Sequence, residues 1–335
     1  MPGAIKLGTA SWTDKPLIEA GTFYPREART PEARLRYYAS RFPLVEADTT
    51  YYGLPTEQLA RSWVERTPPG FTFDVKAYSL FTQHPTPVQR LPKSIQEALP
   101  ERLRKKRQFY RDEAPPEIVD LCWSTFVDAL LPLLEAGRMG VVVFQFPKWV
   151  FPGSDTVRYL EEVRDRLGPY RAAIEFRSDL WMDAEHQETT LAQLGDLGFS
   201  YVCVDEPQGF HSSVPPVAAV TNPALGFVRF HGRNTEMWEA RTNTSSERFD
   251  YYYNAAELDE WTAKIGRIAE EAAEVHLIMN TNNFDQGPVN SELLEQRLRA
   301  AGLRSVEWSP PAEVAAPPSD PAAAEPAAGG QGRLL

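Results

Sequence analysis

Two short runs of the sequence set ions on alternate residues between apolar ones: Ala173-Ile174-Glu175-Phe176-Arg177 and Phe227-Val228-Arg229-Phe230-His231-Gly232-Arg233. Successive side chains of a β-strand point to opposite faces, so Glu175 shares a face with Arg177, and Arg229 shares one with His231. The same spacing joins Glu46 to Asp48 and Asp74 to Lys76. Gln145 and Asp205 each close a further apolar run, and Asn280-Thr281-Asn282-Asn283 follows another. These residue types support acid–base chemistry. Glu46, Glu175, Asp205 and His231 are the candidate proton carriers, with the Lys76 ammonium beside them. Arg177, Arg229 and Arg233 carry planar guanidinium groups that suit a carboxylate or phosphate, so a small anionic molecule is the expected partner. Trp12, Asp48, Gln145, Asn282 and Asn283 are the other expected ligand-binding positions, all at strand ends.

Ions inside a fold cost several kcal/mol each when unpaired, so these groups must pair, hydrate or meet a ligand. A pocket at the strand ends meets that demand. There are five histidines; only His231 sits at a strand end, and His84 lies in the loop beyond the third strand. Zinc sites favour imidazole, so no cofactor is expected. A divalent metal held by carboxylates is the alternative, and the nearby guanidinium groups oppose it. Ser11 lies at a strand end without a nucleophile motif around it.

What must position these groups is a set of eight strand-like segments, at 6–11, 44–49, 71–77, 140–146, 171–177, 201–205, 227–231 and 275–280. Helical periodicity follows most of them, at 31–41, 57–66, 118–135, 155–167, 186–197, 255–271 and 291–301. Alternation of this kind predicts a (β/α)₈ TIM barrel as one α/β domain over 3–308, oily residues outward and ions inward. A doubly wound sheet is the competing fold, but Gly8-Thr9-Ala10-Ser11-Trp12 lacks the glycine-rich dinucleotide turn. Residues 92–116 carry the basic stretch Arg102-Leu103-Arg104-Lys105-Lys106-Arg107 and are expected as an insertion, either a solvated loop or helix or a clamp for an anion. Residues 309–335 are rich in Pro, Ala and Gly and are expected to be a disordered tail.

Composition narrows the function further. The 335 residues are 42% hydrophobic, 11% aromatic and 24% charged, an ordinary globular mixture. A net charge of −11 argues against sequence-blind binding to nucleic acid or an anionic membrane. Cys122 and Cys203 are too few for a disulfide framework, and no signal-peptide or membrane-spanning pattern is present, so a cytoplasmic location is expected.

The motifs Gly8-Thr9-Ala10-Ser11-Trp12, Phe23-Tyr24-Pro25, Val45-Glu46-Ala47-Asp48-Thr49-Thr50-Tyr51-Tyr52, Phe73-Asp74-Val75-Lys76-Ala77, Gln145-Phe146-Pro147, Glu175-Phe176-Arg177 and Arg229-Phe230-His231-Gly232-Arg233 occur in that order. In order and spacing the chain resembles the domain of unknown function 72 family, also called YecE-like. The resemblance implies a TIM barrel, similar overall to xylose isomerase and endonuclease IV barrels, and no settled reaction. It also implies Asn where this chain has Asp48, and an Asn-Asn pair carried over to Asn282 and Asn283. Three functions follow as expectations: an enzyme doing acid–base chemistry on a small anionic, phosphorylated or polyhydroxylated substrate; a metal-dependent phosphodiester hydrolase of nucleic acid, of the endonuclease IV kind; and a non-catalytic binder of an anionic metabolite.

Overall fold

The computed structural model describes residues 2–242 and 245–310. The expected tail therefore lies, from residue 311 onward, outside the described residues. Eight parallel strands close into a barrel: β1 (Ala4–Ala10), β2 (Leu44–Ala47), β3 (Thr72–Lys76), β4 (Met139–Gln145), β5 (Ala172–Glu175), β6 (Ser200–Asp205), β7 (Gly226–Phe230) and β8 (Glu274–Met279). Neighbours pair in sequence order, and β8 closes on β1. All eight fall where the alternating pattern predicts strands. The register aligns Glu46 with Asp74 and Gln145 with Glu175, which sets polar side chains side by side across adjacent strands.

Helices cover the barrel because each strand's outward face is apolar. Phe146 and Phe176 stack at 6.2 Å outside the strands, and Phe176 stacks on Trp181 at 3.8 Å. The helix Pro31–Arg41 begins where Thr30 accepts the Ala33 N–H and Pro31 presets the first turn. Its buried Tyr38 accepts the Thr9 N–H at 2.8 Å and donates to the Leu44 carbonyl at 3.0 Å, tying β1 to β2. The helix Ala255–Glu271 opens with a reciprocal Asn254–Glu257 cap and buries Trp261 against Phe230 of β7.

The basic segment folds on itself. Gln108–Phe109 pairs antiparallel with Thr86–Pro87, and Ile95, Leu99, Leu103 and Phe109 are buried beneath short helical turns. Lys105 pairs with Glu101, Lys106 with Glu113, and Arg111 with Glu162. Arg102 donates to the Glu113 carbonyl at 3.0 Å. Four of its cations are thus paired within the segment or with the nearby Glu162.

The barrel interior is polar at both ends. Near the amino ends of the strands, Lys6 pairs with Glu274 and donates to Thr72 Oγ1 at 2.9 Å. His276 lies there with Nδ1 2.9 Å from Asp74 Oδ2 and Nε2 3.4 Å from Glu274 Oε1. Asp74 also accepts the Val141 N–H at 3.1 Å. A second polar layer lies at the carboxyl ends.

Candidate active site

Arg229 is the centre of that upper layer. It is fully buried on β7, and its guanidinium donates to Glu46 Oε1 at 2.6 Å, to Glu175 Oε2, and to Gln145 Oε1 at 3.1 Å. Four strands thus meet at one side chain. Arg177, just past β5, lies with Nε 2.5 Å from Glu175 Oε1 and donates to Glu206 Oε2 at 3.0 Å. His231 follows β7. Its Nδ1 accepts the Asn280 amide at 2.8 Å, while Nε2 lies 3.3 Å from Glu175 Oε1 and 3.1 Å from Arg177 Nη2.

The electrostatics follow from these contacts. Burial opposes ionisation of Glu175, yet Arg177 and Arg229 hold it well below the usual carboxylate range. Burial and the adjacent Arg177 push His231 down to about 3, so its ring is neutral. Glu175 and His231 are therefore locked parts of the scaffold in this arrangement, held by the ion pairs to Arg177 and Arg229.

Proton-holding capacity lies one step away. Burial pushes the Glu46 carboxyl up to about 8 against the pull of Arg229, and Asp48 adds to the rise through its charge and a hydrogen bond. Glu46 Oε2 and Asp48 Oδ1 are both buried and lack any other donor. A proton on Glu46, directed at Asp48, supplies what both oxygens need. Lys76 Nζ lies 3.7 Å from Asp48 and sits 5.4 Å over the Tyr51 ring. Asp14 joins them. Burial pushes it up to about 8, Asp48 raises it further, and hydrogen bonds from Ser11 and Asn282 draw it down. Asn282 Oδ1 is buried without a partner. A narrow cleft of about 10 Å³, room for about one water, is lined by Ser11, Asp14, Thr281, Asn282 and Phe284 beside this group.

His84 approaches from the loop after β3. Its Nδ1 lies 2.9 Å from Thr82 Oγ1, which itself donates to the Ser79 carbonyl at 3.2 Å. Nδ1 therefore carries the ring proton and Nε2 keeps its lone pair. Burial, with Lys76 and Arg177 nearby, pushes His84 down to about 4, so this imidazole is an unprotonated base at neutral pH.

Six expected site residues are placed or engaged otherwise than expected. Asp205 turns outward, accepting from Tyr253 Oη at 2.6 Å, from Trp261 Nε1 at 2.6 Å and from Arg233 Nη2 at 2.7 Å. Arg233 is clamped between Asp205 and Glu260, away from the upper layer. Glu206, one residue on, is the acid that reaches Arg177. Trp12 packs against Trp63 at 5.6 Å and Phe73 at 6.2 Å within the apolar core, because the chain turns at Ser11 with φ 66°. Asn283 acts through its carbonyl, which accepts the Gln286 N–H at 3.2 Å and starts the last helix. Arg177 and Arg229, expected to grip an anion, have their terminal nitrogens engaged by Glu46, Gln145, Glu175, Glu206 and His231. Sequence reasoning missed Asp14 and Glu206. Asp14 stands four residues past the end of β1, where a scan of whole strand-end loops for acids finds it.

Among the described residues, no three His, Cys, Asp or Glu side chains are grouped so as to hold a metal ion. Nor is any helix among them long and apolar enough to cross a membrane.

A closed parallel barrel with a polar cluster at the carboxyl ends of its strands defines a TIM-barrel protein. Residues 6–314 match the family described as protein of unknown function DUF72, and the chain belongs to that family. It is 29% identical over 298 residues to UPF0759 protein YunF of Bacillus subtilis (strain 168), covering 87% of this chain and 95% of that one. A crystal structure of a DUF72 family protein from Enterococcus faecalis V583 superposes with a TM-score of 0.69 at 28% identity, covering 88% of this chain and 95% of that chain. Another, from Thermotoga maritima MSB8, gives 0.69 at 26% identity, covering 88% and 99%.

Proposed function

We propose that this protein is an enzyme that performs acid–base chemistry on a small polyhydroxylated molecule at the carboxyl-end mouth of the barrel. The observation that carries the reading is the Glu46–Asp48 pair: two buried carboxyl oxygens without a hydrogen-bond partner, beside Lys76, with the Glu46 carboxyl pushed up to about 8 by burial. Glu46 is the acid, because it holds its proton at neutral pH. Asp48 and the free Nε2 of His84 are the bases. Of the substrate classes raised by the sequence, the hydroxyl-bearing one fits better than the strongly anionic one, because the guanidinium groups already have carboxylate partners and Asp14, Glu46 and Asp48 gather on one side. Backbone strain supports the location. Ser11, Gln83 and Phe284, the described non-glycine residues with positive φ, all lie in loops at this mouth. Such residues cost about 1–3 kcal/mol each and cluster at active sites. The proposed setting is a reducing cytoplasm, in which the buried Cys122 and Cys203 remain thiols.

The test is a thermal-shift screen of polyhydroxylated, carboxylated and phosphorylated small molecules, since a ligand of the native state raises Tm. Turnover of the hits is then measured in native protein and in Asp48→Asn. The expected result is a polyol hit whose turnover falls by about 100-fold or more in Asp48→Asn while its Tm shift remains. Undiminished turnover in that variant overturns the role of the pair.

A further inference from the structure

Lys76 is the group at the mouth whose own chemistry the acid–base reading leaves unused. It ends β3 on the face that Asp74 shares, so its stem follows the barrel interior toward the mouth. The Thr50 hydroxyl donates to its carbonyl at 2.6 Å, which holds the end of β3 against the turn after β2. Nζ lies 5.4 Å over the Tyr51 ring, and the side chain is only 15% exposed. Lys6 and Lys264, also part-buried, find acceptors: Thr72 Oγ1 at 2.9 Å and the Pro216 carbonyl at 3.0 Å. Among the described residues, none accepts a hydrogen bond from Lys76. Its ion-pair partner Asp48 Oδ1 stands 3.7 Å away, outside hydrogen-bond length. The arginines of the upper lattice can serve only as ions, whereas an amine that gives up a proton is a nucleophile.

We infer that Lys76 forms an imine with the carbonyl carbon of the substrate, which makes that substrate a polyhydroxylated aldehyde or ketone. The inference rests on Asp48 being a base of the acid–base reaction. The step balances within the site. Asp48 takes a proton from the ammonium, and the freed Nζ lone pair bonds to the carbonyl carbon. A second Nζ proton passes to the oxygen, giving a neutral carbinolamine. Asp48 then returns its proton to that hydroxyl, the C–O bond breaks, water leaves, and the Nζ lone pair completes the C=N bond. One ammonium and one carbonyl have become one iminium and one water, with nothing oxidised or reduced. The iminium draws electrons from the adjacent carbon, which loosens a C–H or C–C bond there for a base to act on.

Borohydride trapping on the full chain tests this, because hydride reduces an imine to a stable secondary amine. The probes are dihydroxyacetone, fructose, ribose and pyruvate, each with and without sodium borohydride, read by intact mass and peptide mapping. A borohydride-dependent label from at least one of the three hydroxylated probes should map to Lys76 in the native protein and be lost in Lys76→Arg. Lys93→Arg, at an exposed position of the short helix Lys93–Ala98, should leave it unchanged. Mapping in the native protein identifies the lysine whether or not the variant folds. A label spread over the exposed Lys15, Lys93 and Lys105, and undiminished in Lys76→Arg, overturns the imine. So does the absence of any label, and Asp48-dependent turnover of a screened ligand would then leave the acid–base reading standing. Label from pyruvate alone overturns the polyhydroxylated class. A Lys76 label that forms as fast in Asp48→Asn as in the native protein upholds the imine and removes the acid–base role of the pair.

Discussion

Two ion clusters sit one above the other inside the same barrel, and they differ in how fully they are satisfied. At the amino ends, Lys6, Thr72, Asp74, Glu274 and His276 pair with one another, and Asp74 takes a backbone N–H as well. Burial opposes protonation of His276, but Asp74 and Glu274 outweigh it and raise its pKa. At the carboxyl ends, Arg229, Glu175, Arg177 and His231 form an ion-paired lattice, but among the described residues buried polar atoms without a hydrogen bond are more numerous there (Glu46 Oε2, Asp48 Oδ1, Glu175 Oε1, Arg177 Nε, Arg229 Nε and Asn282 Oδ1) than below, where His276 Nε2 is one. Buried charge alone therefore does not mark a site. The lower cluster and the upper lattice hold the barrel together, while the incomplete edge of the upper one is where a proton and a ligand have work to do.

The largest expected effect comes from the upper lattice. Arg229→Met removes the donor shared by Glu46, Gln145 and Glu175 and leaves Glu175 with Arg177 as its remaining guanidinium partner. Stability should fall by about 3–5 kcal/mol in urea unfolding, the usual cost of stranding buried charge. A loss under about 1 kcal/mol would mean that the lattice relaxes around the gap, and the scaffold role would fail. A smaller effect is expected below. A Cβ on Gly140 would stand 2.2 Å from Asp74 Oδ1, so Gly140→Ala must push Asp74 away from His276. The expected cost is about 1–3 kcal/mol with the carboxyl-end chemistry intact. Turnover lost in proportion to that destabilisation would tie the two clusters into one unit.

Strand periodicity made most of this legible. Glu46, Glu175, Arg229 and His231 converge because each lies on, or one residue past, a strand whose alternate residues are apolar, and alternation survives without any knowledge of neighbours. The errors come where alternation ends. Asp205 is the last residue of β6, and the following Glu206 turns inward; nothing in Val204-Asp205-Glu206 says which acid faces the axis, because outward Asp205 is claimed by Trp261 and Tyr253, more than forty residues away. Trp12 was expected at the pocket since it follows a strand, but Ser11 in the left-handed region swings it into the core. Asp14 escaped because its importance comes from Asp48 and Asn282, contacts that only closure of β1 on β2 and β8 creates.

The smallest effect bears most directly on the difference between the clusters. In the folded protein Glu46 titrates near 8, above the ordinary 4.5, so between those values the native state holds a proton that the unfolded chain has released. Stability from this group is complete below about 4.5 and declines as pH rises through 8. His276, also raised, acts with the same sign: its contribution is full below 6.5 and is lost as pH climbs past its folded value. A declining profile alone therefore does not say which cluster titrates. Asp48→Asn tests the upper cluster, because it removes the carboxylate that adds to the rise burial gives Glu46 and leaves Asp74 and Glu274 around His276. With Glu46 less perturbed, the variant should gain on the native protein by about 1 kcal/mol as pH goes from 5 to 8, the worth of roughly one pKa unit. Urea unfolding at both pH values measures the difference. If the two proteins run parallel across that range, Glu46 and Asp48 do not share a proton, and the raised pKa of Glu46 owes nothing to Asp48.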